Sequence, residues 1–379
     1  MAPIKIGFVG LSSRGWASTN LAPPLLKSPL SDQYTLTAVS TSSAESARVS
    51  AEKYGGLFSR PVKPYHGSTE AIANDPDVDL VAVSVKTPQH KAALIPAIAA
   101  GKDVFVEWPL GRNLQESIEL AEAAKQKGVR TLIGLQSWQT PLTNKVKEWV
   151  SSGKIGRVLS VNWIGAKPAE IPIWVPFHSR SPGDGDYGLD PNNGATFLSI
   201  PVGHSLSNII YALGPVSSVS ATSTQLFKET KFVGADNQPT GETMPSLTPD
   251  QWAFTGIMRD SGAILTASWR TGGTATKETD KARPTLVWLI EGEEGHIRVE
   301  STHLFGAVPQ VAATHKVILN CEEVAITDHE LGNTGLAWLE FAKGEKGNYP
   351  TFDDAVDLYK HLDAIERSAK EGRRVNVDI

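Results

Sequence analysis

The sequence predicts an α/β domain built on a parallel sheet, followed by an α+β domain with an open, largely antiparallel sheet. Three observations carry this. Apolar, strand-length runs alternate with helical segments up to about residue 130, a glycine-bearing bend follows the first of those runs, and past about residue 150 the rhythm changes to strands linked by tight turns. The length of 379 residues suits two domains, since typical domains hold about 100–200 residues.

In chain order, Lys5–Gly10 is a short apolar run ending in glycine, and Gly15–Leu26 reads as a helix. Tyr34–Ser40 is a second strand, Ala44–Tyr54 a helix and Leu80–Val85 a strand that is apolar but for Ser84. Gln89–Ala100 is a helix stopping at Gly101, Asp103–Val106 a strand, Leu114–Lys127 a helix ending at Gly128, and Thr131–Gly134 a strand. Strands without polar alternation are those buried on both faces, and a strand–helix–strand rhythm places them in a parallel sheet covered by helices. Glycine just past a helix supplies the left-handed residue that closes it.

The second half reads as strands at Arg157–Gly165, Val216–Gln225, Gln251–Met258, Ala263–Trp269, Thr285–Glu291 and His296–Glu300. Turns at Arg259–Gly262 and Glu291–Gly295 join consecutive strands as hairpins. Helices are expected at Ala195–Leu213 and Asp353–Lys370. The domains are therefore placed at residues 1–135 and 136–379, with the terminal helix able to pack back on the first. The polar stretches 167–193 and 228–250 are longer than plain connectors, and each reads as either a working loop or a disordered one.

Composition narrows the function. Lys plus Arg total 36 against 41 Asp plus Glu, a formal charge of −5. A chain without a basic block is a poor phosphate tracker, so direct nucleic-acid binding is not expected. The single cysteine, Cys321, leaves no internal disulfide and no cysteine-based zinc site, and the histidines fall at no metal-pair spacing. Bilayer spans need about 20 apolar residues; no run approaches that, and the start is too short for a secretion signal. A cytoplasmic protein is expected. Ten tryptophans hint at binding of a ring or sugar.

The first strand runs into Gly10-Leu-Ser12-Ser13-Arg14-Gly15, a G-x-G-x-x-G pattern with Ser12 in the middle glycine position. In such a bend backbone N–H groups turn toward a pyrophosphate, and the glycines permit the close approach. The second strand ends in Ser40-Thr41-Ser42-Ser43 without the carboxylate that grips a free ribose diol. Small hydroxyls there, with Arg14 or Arg48 nearby, favour NADP over NAD.

Several segments together resemble the glucose–fructose oxidoreductase/inositol dehydrogenase (Gfo/Idh/MocA) family. They are Val78–Val85, Thr87-Pro88-Gln89-His90, Ala100–Pro109, Ser152–Gly156, Glu291–Gly295 and Phe352–Ala355 continuing to Ser368–Arg373. The resemblance implies a Rossmann domain, a site in the cleft between two domains, and pairing of chains into a homodimer or tetramer through the second sheet. Redox members of the family usually carry Glu-Lys-Pro where this chain has Glu107-Trp108-Pro109, and an Asp shortly before a His where it has Ser199 or Ile200 before His204. The Glu-Trp pair, Leu135-Gln136, Tyr187-Gly-Leu-Asp190-Pro-Asn-Asn193-Gly194 and Gly203-His204 resemble the fungal galactose-repressor-like branch, which implies dinucleotide binding and a protein partner in place of catalysis.

Hydride removal from a carbinol needs a base for the hydroxyl proton. Tryptophan only donates, which leaves His204, assisted by Tyr187, as the expected catalytic pair. Lys167 is a substitute amine in the long loop. Gly10, Ser12, Ser13, Arg14, Gly15, Ser40, Thr41, Thr87, Pro88, His90, Glu107, Trp108 and Gln136 are expected at the cofactor. Trp138, Trp163, His178 and Asn193 are expected at a small-molecule substrate. Three functions fit: an NAD(P)-dependent oxidoreductase of a polyol, sugar-like or other carbinol, a dinucleotide-sensing regulator, and a redox-neutral enzyme that keeps its cofactor.

Overall fold

Residues 2–179, 187–273, 283–308 and 314–379 are described by a computed structural model. They divide into two units, Met1–Gln139 with His329–Val356, and Thr140–Asp328 with Asp357–Ile379. The first boundary lies four residues beyond the one read from sequence. The return of His329–Val356 to the first unit is not visible in a linear reading.

The first unit contains β1 (Ile4–Val9), α1 (Leu30–Gln33), β2 (Tyr34–Thr41), α2 (Ala44–Leu57), β3 (Lys63–His66), α3 (Glu70–Ala73), β4 (Leu80–Val83), α4 (His90–Ala99), β5 (Asp103–Glu107), α5 (Leu114–Lys127) and β6 (Thr131–Gly134). The six strands form one sheet in the order β3-β2-β1-β4-β5-β6, every pair parallel. All four residues of β4 are buried, as its apolar run requires. Asn113 caps α5 by accepting from Glu116 N at 2.9 Å, and Gly128 closes it at φ 64°.

Two features depart from the sequence expectation. Gly15–Leu26 is not one helix but a π-turn at Ala17–Leu21 and a 3₁₀ turn at Pro23–Leu26, because Pro23 and Pro24 have no amide to continue the ladder. The mostly exposed edge strand β3 lacks an apolar run and escapes pattern reading; Pro64 is tolerated there because edge strands do not need every donor.

The second unit contains α6 (Pro141–Ser151), β7 (Val158–Lys167), β8 (Phe177–Ser179), α7 (Gly203–Leu213), β9 (Val216–Thr224), β10 (Glu229–Val233), β11 (Pro239–Pro245), β12 (Gln251–Met258), β13 (Ile264–Thr271), β14 (Leu286–Gly292), β15 (His296–Ser301), β16 (Lys316–Leu319) and β17 (Glu322–Glu323). After α8 (Gly332–Ala342) of the first unit, α9 (Phe352–Glu371) begins in the first unit and continues into the second, which ends with β18 (Val375–Asn376). The large sheet runs β17-β16-β15-β14-β7-β13-β12-β9-β18. Its pairs are antiparallel except β7 with β13. A small sheet, β11-β10-β8, occupies the stretches expected as loops. The helix expected over Ala195–Leu213 is a π-turn at Leu198–Val202, with Pro201 inside it, leading into α7.

Each unit has its own aromatic centre. In the first, Trp338 of α8 is fully buried against Phe8, Tyr34 and Phe105, with Nε1 donating to Leu21 O at 3.1 Å. In the second, Trp163 lies between Trp269 and Trp288 on one face of the sheet.

Candidate functional site

The strand order of the first unit reverses direction between β1 and β4, and open α/β sheets bind ligands beyond the carboxyl ends of the strands at that point. Gly10 leaves β1 there at φ 90°, and an added Cβ would lie 2.1 Å from Ser84 O, so no other residue fits. Gly10 N donates to Ser40 O at 2.8 Å, tying the bend to the end of β2. Gly15 follows at φ 98°. Among the described residues the amides of Ser13, Gly15 and Trp16 have no hydrogen-bond partner.

Lys53, which the sequence reading missed, reaches the loop from α2. Its Nζ donates to Ser13 O at 3.0 Å and Ser18 Oγ at 3.1 Å. A glycine-only bend, unpaired amides and a nearby cation fit a pyrophosphate. Ser12 turns its hydroxyl inward, donating to Arg14 O at 2.5 Å, while Arg14 is exposed.

The end of β2 carries hydroxyls only. Thr41 Oγ1 and Ser46 Oγ lie 2.5 Å apart, and Ser43 caps α2 by accepting from Ser46 N at 3.2 Å. Arg48, one of two arginines expected near a ribose phosphate, is instead paired with Glu45 and Glu52 at 2.8 and 2.6 Å, an i,i+3 and i,i+4 arrangement along its own helix.

Glu107 ends β5 between two donors. Trp16 Nε1 donates to Oε1 at 3.0 Å and Gln136 Nε2 to Oε2 at 2.9 Å. Burial pushes the carboxyl up to about 7, against the pull of those two hydrogen bonds. Gly134 makes room for it, since a Cβ there would lie 2.4 Å from Glu107 Oε2. Trp16 was not singled out from sequence; its place directly after the last glycine of the bend was the available signal.

Thr87 and Trp108 are buried and Pro88 is half-buried. His90 departs from the role expected of it. Its ring is 1% exposed, with Nδ1 2.9 Å from Pro109 O and Nε2 3.0 Å from Val85 O. Both nitrogens face backbone carbonyls, one of them donating its N–H in the neutral ring that burial favours, so the residue lies between the ends of β4 and β5 and presents no open face to a cofactor. Trp138 is half-buried.

In the second unit His204 is the second residue of α7, buried, with Nδ1 lacking a partner among the described residues. Burial alone pushes its imidazole down to about 3, so it is neutral at physiological pH. Tyr187 and Asn193 belong to one loop, where Asn193 Nδ2 donates to Tyr187 O at 3.1 Å. His178 Nδ1 accepts from Trp174 N at 3.2 Å. Trp163 is corrected from substrate contact to core residue: it is 0% exposed, because alternate residues of β7 face the packed side of the sheet. Ser199, in the place of the family Asp, donates its hydroxyl to Gly194 O at 2.6 Å.

Among the described residues no group of three or more His, Cys, Asp or Glu side chains is placed to hold a metal ion, and no helix is long and apolar enough to cross a membrane.

A parallel sheet with this strand order, a glycine bend at its switch point and a following open sheet define the dinucleotide-binding oxidoreductase architecture. Residues 4–135 match the oxidoreductase family with the NAD-binding Rossmann fold, and residues 141–301 match the Gal80p C-terminal domain. The dehydrogenase aclE of Aspergillus oryzae is 33% identical over 98% of this chain and 97% of its own. The galactose/lactose metabolism regulatory protein GAL80 of Saccharomyces cerevisiae is 24% identical over 81% of this chain and 69% of its own. The fold of a super-repressor mutant of Gal80p from the same yeast superposes with a TM-score of 0.85 at 22% identity, covering 100% of this chain and 98% of that one. The chain belongs to the Gfo/Idh/MocA oxidoreductase family, near its Gal80-like branch.

Proposed function

We propose that this protein is an NAD(P)-dependent oxidoreductase acting on a polyol, sugar-like or other carbinol small molecule. The observation that carries the reading is the Gly10–Gly15 bend, with its unpaired amides, at the switch point of the sheet. Ser13, Gly15 and Trp16 would hold the pyrophosphate through backbone N–H groups, with Lys53 and Arg14 supplying positive charge. The hydroxyls of Thr41, Ser43 and Ser46, without a carboxylate, favour NADP. When bound, the dinucleotide supplies a hydride acceptor or donor.

His204 and Tyr187 are proposed at the substrate. A neutral, buried imidazole acts there by hydrogen bonding to a substrate oxygen, since protonating it is opposed by burial. Association of chains is proposed on the outward face of the large sheet, where Ile164 and Ile264 are exposed.

A second reading is supported by the lost family residues. With Trp108 and an engaged Ser199 in the usual proton-handling places, a regulator that senses dinucleotide and grips a protein also fits. Calorimetric titration with NADP and NAD, followed by a carbinol panel monitored by nicotinamide absorbance, separates the two. Binding with turnover supports the enzyme, binding without turnover the regulator, and no binding of either dinucleotide overturns both.

A further inference from the structure

A dinucleotide is two nucleotides joined at their pyrophosphate, so its halves leave the Gly10–Gly15 bend in opposite directions along the strand ends. The hydroxyls of Thr41, Ser43 and Ser46 at the end of β2 face the adenosine ribose in this reading. The nicotinamide half then extends the other way, over the ends of β4 and β5. Six residues end the strands of this sheet: Val9, Thr41, His66, Val83, Glu107 and Gly134. Glu107 is the one acid among them, and it lies on the nicotinamide side. It is half-buried, between Trp16 Nε1 at 3.0 Å and Gln136 Nε2 at 2.9 Å, and the missing side chain of Gly134 leaves room for it. Trp16 follows the bend directly and is 42% exposed. One indole therefore ties the acid to the phosphate loop.

We propose that Glu107 discriminates between the two redox states of the dinucleotide: as a carboxylate it favours the oxidised nicotinamide, whose ring carries a positive charge, and as a neutral acid it favours neither. This role rests on the dinucleotide site of the oxidoreductase reading. Opposite charges attract more strongly beside a protein than in bulk water, whereas the reduced ring is neutral and gains nothing from the ionised form. Binding of the oxidised form therefore drives the proton off Glu107: the carboxyl O–H bond breaks, the proton goes to solvent, and no other bond changes. Trp16 and Gln136 donate to the two oxygens and support the carboxylate, while burial supports the acid. Their balance puts the free group at about 7, where one nearby charge tips it. The other charged or titratable groups on the surrounding elements are Arg14 and Lys53 at the bend, Lys86 after β4, and His90 and Lys91 at the start of α4; β6 and its following turn carry none up to Gln139. None of these acts on the carboxyl. Lys53 is bonded to Ser13 O, Lys91 to Glu119, and His90 faces backbone carbonyls. Binding and proton release are reciprocal, so acid selects against the oxidised form by the same factor.

Calorimetry on the full chain tests this. The probes are oxidised NADP or NAD, whichever binds, and its acid-stable 1,4,5,6-tetrahydronicotinamide analogue, which stands for the reduced form. Groups that act on both alike, a 2′-phosphate included, cancel in the ratio of the two affinities. In wild type that ratio is expected to turn about fivefold toward the oxidised form between pH 6 and pH 8.5. Protons are expected to be released with the oxidised form and not with the analogue, read from buffers of unlike ionisation enthalpy. In Glu107→Gln the ratio is expected to lie flat across that range, with the analogue bound as in wild type. Gln136→Met removes one donor to the carboxylate and is expected to move the midpoint of the curve upward, which a carboxyl that merely packs the strand end would not do. Where Glu107→Gln does not fold, the wild-type and Gln136→Met curves decide. A wild-type ratio independent of pH, a pH dependence that survives in Glu107→Gln, or a midpoint left in place by Gln136→Met overturns the role of Glu107 while the oxidoreductase reading stands. Failure of the wild type to bind any of these dinucleotides overturns that reading and this role with it.

Discussion

Trp16 Nε1 donates to Glu107 Oε1 at 3.0 Å, linking the residue that follows the glycine bend to the end of the fifth strand. The carboxyl is held up to about 7 by burial, above its value in an unfolded chain. Between those two values the folded protein binds the extra proton, so stability falls as pH rises through the window. The loss is at most about 3 kcal/mol. Glu107→Gln is expected to flatten this slope, measured as urea unfolding at pH 5 and pH 8.

His204 has the opposite sign. Its imidazole titrates near 3 in the folded chain, below the ordinary value, so the unfolded chain takes up the proton first as pH falls. Stability is then lost from about pH 6.5 downward, by up to about 5 kcal/mol. His204→Gln is expected to be less sensitive to acid, with its advantage growing between pH 6 and pH 4 in denaturant titrations.

The two loop glycines differ in what a side chain would meet. At Gly10 a Cβ lies 2.1 Å from Ser84 O, while at Gly15 nothing lies within 4 Å. Gly10→Ala is expected to cost more than about 3 kcal/mol and to abolish dinucleotide binding. Gly15→Ala carries mainly the backbone penalty of a positive φ, about 1–2 kcal/mol. Parallel melts and dinucleotide titrations of the two variants check this.

Trp16 is 42% exposed beside the unpaired amides. Dinucleotide binding is expected to quench its fluorescence, and the wild-type minus Trp16→Phe difference spectrum should contain that change. An identical quench in both proteins would place the nucleotide away from the bend.

Trp338 is buried with three aromatic neighbours and a bonded indole N–H. Trp338→Ala is expected to cost about 3–5 kcal/mol, read from chemical unfolding of the first unit.

Sequence alone determined the parallel sheet, the glycine bend and the hairpin-rich second half. Each of these is a local matter: apolar runs such as Leu80–Val83, a left-handed residue at Gly10, turn residues at Arg259–Gly262. It also showed the absence of a carboxylate after β2 and the replacement of a lysine by Trp108. Tertiary structure decided what depends on distant partners. Only the fold brings Trp16, Glu107 and Gln136 together across separations of 91 and 29 residues, sets both nitrogens of His90 against backbone carbonyls, seals Trp163 in a core and strips water from Lys167 and His204. A side chain's proton affinity follows from what surrounds it, and those surroundings are assembled by strand order and packing rather than by neighbours along the chain.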